Sequence, residues 1–202
     1  MRLAAGRLDV ETSPKEIRVL CQSCAENIFA NLGPSEQYAL AVARLLFMVA
    51  AHESGGFQYR RQLGFAWSNG FGAHGLWQIE WASVSDSIGM LRRKSALAQR
   101  SARWLFRDSH APSWWFDASI NLLADNGPRQ FKPLLVMMCG WDRLCCLFAR
   151  LHFLRVPAAV PSEVEAQGMY AKQWYNTEKG KAAARDYVDA FNLYWPRAIG
   201  HG

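Results

Sequence analysis

Glu53 closes an apolar run, Leu45-Leu46-Phe47-Met48-Val49-Ala50-Ala51-His52-Glu53, and Ser54-Gly55-Gly56 follow at once. A carboxyl group so placed is suited to hold a proton near neutral pH. It is the next step of the helical stripe Ala39, Val42, Leu46 and Val49, so its ionised form loses solvation. It also falls at a predicted helix C-terminus, whose partial negative charge opposes a further negative charge. Such an acid serves reactions in which a departing oxygen must be protonated as its bond breaks, glycoside cleavage among them.

A second compact string follows, Gly72-Ala73-His74-Gly75-Leu76-Trp77-Gln78-Ile79, where glycines allow close backbone approach and unusual dihedrals. Residues 54 to 79 contain no further carboxylate, and the next acidic side chains are Glu80 and Asp86. Two-carboxylate glycosidases place their acids about 5 Å or about 7–9 Å apart, and Glu80 is the best candidate partner. Without one, a single-carboxylate mechanism is favoured. Trp67, Trp77, Trp81, Trp114, Trp115 and Trp174 have faces that can stack on sugars, with Trp77 the expected cleft residue and most of the set expected in the core. Tyr59-Arg60-Arg61 is a basic loop able to meet carboxylates or phosphates, whereas Arg92-Arg93-Lys94 reads as a solvated helix face.

Other chemistries find little support. Cys21-x-x-Cys24 lies inside a helical pattern, and no second C-x-x-C or H-x-x-x-H completes a zinc set; His52 and His74 have no metal spacing around them. The expectation is five reduced structural thiols, synthesis in a reducing cytoplasm, and no metal or other cofactor. There is no Walker-type loop, no G-x-G-x-x-G after a strand and no nucleophile elbow.

The elements that must position Glu53 are helical. Ser13-Pro14-x-Glu16 combines an N-cap serine, a proline at the first turn and a glutamate three residues on, predicting a helix to about Ala30. The Glu53 helix starts near Ser35 and stops at Gly55-Gly56. Residues 57 to 74 read as a loop or irregular hairpin. Further helices are expected over Trp81–Phe106 with a break near Gly89, Trp114–Leu123, Phe131–Leu154 as a central buried helix, Ser162–Trp174, and Glu178–Tyr194 with Ala184, Tyr187, Phe191 and Tyr194 on one side. The expected fold class is mainly α: one domain over 1–202, with an N-terminal helix in 1–33 and the core in 34–202.

The totals agree with that. The chain has 202 residues, half of them apolar, enough for a sizeable core and far from a disordered composition. A net charge of +6 favours anionic partners, with wall polymers and nucleic acid both eligible. The segment Met1–Pro14 lacks an apolar stretch of signal-peptide length, and the most apolar segment, 134–156, is interrupted by Asp142, Arg143, Arg150, His152 and Arg155. No membrane span is expected.

Glu53-Ser54-x-x-Phe57 followed by Gly72-Ala73-x-Gly75-Leu76-x-Gln78-Ile79 resembles the signature of soluble lytic transglycosylases and related lysozymes, Glu-Ser-x-x-Phe and then Gly-Ala-x-Gly-Leu-Met-Gln-Ile. Trp77 replaces the usual Met, and the loop before Gly72 is longer than in most members. Tyr175-Asn176-Thr177 with Gly180 is similar to the family's Ala-Tyr-Asn-Ala-Gly segment, with Trp174 in place of the first Ala. The resemblance implies a lysozyme-like fold and cleavage of the β-1,4 bond between N-acetylmuramic acid and N-acetylglucosamine in peptidoglycan. It makes Glu53 the acid and base. Ser54 would orient the site, Gly75, Leu76, Trp77 and Gln78 would line the substrate cleft, Tyr175 would contact the catalytic carboxylate and Asn176 the substrate. The segment Leu151–Pro157 and the Tyr-Asn-Thr region also resemble the tails of phage-encoded proteins. That implies synthesis in the bacterial cytoplasm and action on the periplasmic wall, as a virion-associated or lysis protein with other virion proteins as partners. Muramidase hydrolysis of the same bond, or a structural or ejection role in the virion with little activity, are the alternatives.

Overall fold

A computed structural model describes residues 13–29, 35–59, 72–106, 132–176 and 181–200. The expected helix at Trp114–Leu123, Trp67, Trp114, Trp115 and Arg60-Arg61 lie outside the described residues. The fold is mainly α. Eight helices are described: α1 Pro14–Asn27, α2 Glu36–Glu53, α3 Trp81–Arg93, α4 Ser95–Phe106, α5 Lys132–Gly140, α6 Asp142–Leu154, α7 Val164–Trp174 and α8 Ala184–Ala198. The only extended pairing among the described residues is an antiparallel bridge between His74 and Ile79.

α2 is the centre of the molecule. Every residue from Leu45 to Ala51 is buried, beyond what the single stripe in the sequence predicts. α1 and α8 pack along it, α7 packs on α8, and α6 closes the far side against α1 and α3. Leu45, Leu46, Phe47, Met48 and Val49 together gain on the order of 10 kcal/mol on burial, at about 1.5–3 kcal/mol per large apolar side chain before entropy is counted. That burial anchors the end of the helix where Glu53 sits.

The caps explain where helices start. Ser13 accepts from the Glu16 amide at 3.3 Å while the Glu16 carboxylate accepts from the Ser13 amide at 2.9 Å, the reciprocal box that the sequence predicts. Ser35 accepts from the Tyr38 amide at 3.2 Å. The predicted boundaries differ most at three places. The break in 81–106 falls at Lys94 rather than Gly89, with the Lys94 carbonyl accepting from the amides of Leu97 and Ala98 to start α4. The stretch 131–154 is two helices, because Trp141 (φ −131°, ψ 87°) leaves the helical region after Gly140. The last helix starts at Ala184, where the Asp186 carboxylate accepts from the Ala183 amide at 2.7 Å, and it runs through Pro196.

Arginines close two helix C-termini, those of α1 and α8, where the carbonyls lack intrahelical donors. Arg18 donates to Ala198 O at 3.1 Å, Arg100 to Phe29 O at 2.6 Å, and the buried Arg150 to Ile28 O at 2.9 Å. Burial works against the Arg150 charge, and the carbonyl end of α1 offsets part of that cost. Arg150→Ala is expected to destabilise the protein by about 2–4 kcal/mol, because a buried carbonyl loses a charged donor and a cavity opens between α1 and α6. Urea unfolding monitored by circular dichroism measures this directly.

All five cysteines are free and buried. Burial pushes the Cys24 and Cys146 thiols well above the ordinary range, which keeps them protonated and unreactive. Among the described residues no group of His, Cys, Asp and Glu is arranged to hold a metal ion, and no helix is long and apolar enough to cross a membrane.

Candidate active site

Glu53 is the last residue of α2, half-buried, with its carboxylate against Tyr187 in the first turn of α8, His52 beside it and Glu80 at the start of α3 within electrostatic reach. The residues after it hold it there. Ser54 donates to Ala50 O at 2.6 Å and its hydroxyl accepts from the Phe57 amide at 2.7 Å. Gly55, Gly56 and Phe57 all have positive φ (59°, 76° and 69°), so the chain doubles back within three residues. A side chain at Gly56 would have its Cβ 2.1 Å from the Tyr194 hydroxyl. Phe57 accepts the left-handed conformation because its ring then enters the core against Phe47 (5.3 Å between centroids) and Tyr194 (5.6 Å). The Glu-Ser-x-x-Phe pattern is thus a physical unit: the serine ties off the helix, and the phenylalanine pins the turn.

Tyr187 of α8 donates to Glu53 Oε1 at 2.6 Å, and Asn176 Nδ2 donates to the Tyr187 hydroxyl at 3.0 Å. The His52 ring lies against the Tyr187 ring at 4.1 Å. Burial raises the Glu53 pKa above the usual carboxylate value. The Tyr187 hydrogen bond and the neighbouring His52 pull it back down, and the Glu80 carboxylate pushes it further up. Burial wins. The direction is the one expected of a proton donor near neutral pH.

Several expected site residues take other roles. Trp77, expected to wall the cleft, is fully buried, and its indole N–H donates to Leu46 O at 2.8 Å. It is a core anchor that ties the 74–79 turn to α2. Leu76 is also fully buried, as is Ser54, so neither presents a surface to a ligand. Gly75 (φ 72°) is needed for packing: a Cβ there would lie 2.2 Å from Cys145 Sγ and 2.9 Å from Met138 O. Gln78 is the one residue of 72–79 that is not buried, held at φ 47° with its side-chain amide donating to Gly75 O at 2.8 Å.

Tyr175 does not bind the carboxylate. Its hydroxyl donates to Trp77 O, while its ring packs on Phe153 and His152. Glu53 is still close enough that its charge, after burial, helps hold the Tyr175 phenol well above its ordinary range. The tyrosine on Glu53 is Tyr187, which the sequence places only as part of an apolar stripe. A signal was present: a tyrosine in a buried stripe must find a partner for its hydroxyl. Asn176 reaches Glu53 through Tyr187 and is half-buried. Glu80 is exposed and makes no capping bond at the start of α3, yet lies near enough to act on Glu53.

Tyr187→Phe removes a donor that favours the ionised carboxylate, so the Glu53 pKa is expected to rise further. A reaction that needs protonated Glu53 should then lose about 10-fold in rate, the equivalent of one hydrogen bond to a charged group, while its alkaline limb moves to higher pH. A pH–rate profile reads both; a limb that moves down or stays put would remove Tyr187 from control of Glu53.

Compared with known proteins, the chain matches no protein-family model, no curated protein sequence and no solved structure.

Proposed function

We propose that the chain is a lysozyme-like enzyme that cleaves the β-1,4 bond between N-acetylmuramic acid and N-acetylglucosamine in peptidoglycan. The observation that carries this reading is a half-buried carboxyl group with a raised pKa, held by the Asn176–Tyr187 pair at the end of the central helix and acted on by the Glu80 carboxylate. Protonated Glu53 gives its proton to the leaving oxygen of N-acetylglucosamine as the bond to muramyl C1 breaks. Its carboxylate then takes the proton of the muramyl C6 hydroxyl as that oxygen closes on C1. A 1,6-anhydro sugar results and no water is consumed. The direction of the Glu53 shift suits both halves, since a pKa lifted toward neutrality makes a usable acid and then a usable base.

The residues left to meet substrate are the exposed Glu80 and the half-buried Gln78, Tyr175 and Asn176. The virion or lysis setting, and delivery to the periplasmic wall, belong to this proposal. Mass spectrometry of digested cell wall tests it. Anhydro-muramyl ends are expected; reducing ends would mean that water reaches C1 and the enzyme is a muramidase. Intact wall would leave the fold with a structural role in the particle.

A further inference from the structure

A second charged locality lies on α3, unused by the chemistry at Glu53. A recess of about 510 Å³ opens between α3 and the end of α6, bounded by Ser85, Asp86, Gly89, Arg93, Lys94 and Arg155. Arg155 is built into its wall. Its Nη1 donates to Ser83 O at 3.1 Å and pairs with Asp86 Oδ2 at 3.2 Å, and its Nη2 lies 3.3 Å from His152 Nδ1. The Arg155 side chain is 24% exposed against 70% for Asp86, so the cation is fixed and its acid is at the rim. Arg93 borders the open floor at Gly89, where an added Cβ would lie 3.5 Å from its Nη1. Lys94 is exposed at the α3–α4 junction.

Three cations therefore face one carboxylate. Asp86 offsets one of them, and the remainder favours an oxyanion, which guanidinium groups bind through paired N–H donors. The recess also has a place relative to Glu80. α3 begins directly after Glu80, and Gly89 is nine residues further on, about 13 Å at 1.5 Å per residue. Glu80 is the end of that span whose charge acts on Glu53, so the recess lies further along α3 than the scissile sugar and suits a branch of the bound strand.

We propose that this recess is an anion subsite that takes a carboxylate of the peptide stems borne by the glycan strand. The stem assignment rests on the glycan reading of Glu53; the anion site does not. Two measurements on the full chain separate them. In the first, backbone amide resonances are followed during titration with N-acetylglutamate and, separately, inorganic phosphate. Saturable shifts confined to residues 85–94 and 155 are expected with N-acetylglutamate, weakened at least about fivefold in Arg93→Gln/Lys94→Gln. Non-saturating shifts equal in both proteins, or saturation with phosphate alone, would overturn the carboxylate site.

In the second, the same double variant is assayed on intact peptidoglycan and on glycan stripped of its stems by an amidase. KM on the intact polymer should rise about 3–10-fold with kcat unchanged, and the stripped glycan should be cut equally by both proteins. An equal loss on both polymers would overturn the stem assignment. A wild-type protein that cuts neither polymer would overturn the reading of Glu53 and the stem assignment together, leaving the titration to judge the anion recess by itself.

Discussion

Glu53→Gln should eliminate glycan cleavage, by about 10³-fold or more, and at the same time make the protein more stable. Both effects come from one proton. The rate loss follows because the amide can neither protonate the leaving oxygen nor accept the C6 hydroxyl proton, and positioned acid–base catalysis is worth about 10²–10⁴-fold for each such transfer. The stability gain follows from linkage. Burial raises the folded-state pKa of Glu53 above its ordinary value of 4.5, so the folded protein binds this proton more tightly than the unfolded chain. The group's contribution is therefore fully present at low pH and is lost as pH rises through the folded pKa. Glutamine resembles the protonated form and has nothing to lose. The difference in Tm between variant and wild type should be small near pH 4 and widen toward pH 8, with Tyr187 still able to donate to the amide oxygen. Thermal melts across that range, with wall-clearing assays on the same preparations, check both halves. A variant that clears the wall normally would remove Glu53 from catalysis. A variant destabilised at pH 8 would mean that the carboxylate holds the site together rather than straining it.

Much of the frame was legible because caps and breakers are local. Ser13 with Glu16, Ser35, and Gly55-Gly56 set three boundaries through bonds that span three or four residues, a range that sequence shows directly. The break after Gly140 was hidden by the apolar residues on either side of it; the glycine and the Asp142 that opens the next helix were the only punctuation. The site itself was half legible. Glu53 stood out because an acid continued an apolar stripe. Tyr187 did not, since its bond to Glu53 joins residues 134 apart and only the packing of α8 on α2 makes it. The motif residues misled in a consistent way. Leu76 and Trp77 lie in a string associated with substrate, yet both point into the core, and the indole N–H that makes a tryptophan attractive at a sugar cleft is taken by Leu46 O. Patterned residues of this kind can serve to pack a turn onto the core rather than to meet a ligand.

Gly75→Ala separates those two meanings of the 72–79 string. If the glycine served to let backbone approach a sugar, alanine would weaken binding and leave folding alone. The geometry argues for the opposite. His74 and Ile79 exchange backbone hydrogen bonds of 3.0 and 2.8 Å, closing the turn, and Gly75 inside it has φ 72°. A non-glycine residue there costs about 1–2 kcal/mol in backbone strain alone. The added methyl would also sit 2.2 Å from Cys145 Sγ and 2.9 Å from Met138 O, and over-packing of that kind costs about 1–3 kcal/mol more. The loss is expected at about 2–5 kcal/mol, a large share of the roughly 5–15 kcal/mol that folds a domain. Gly75→Ala/Cys145→Ala should recover part of it, because the thiol is removed while the Met138 carbonyl and the positive φ remain. Denaturant unfolding of the single and double variants gives the coupling energy. The surviving folded fraction of the single variant should retain its KM, since Gly75 is buried and its methyl meets Met138 of α5 and Cys145 of α6. An intact fold with a raised KM would return Gly75 to the cleft and put the glycan strand against the backbone of the turn.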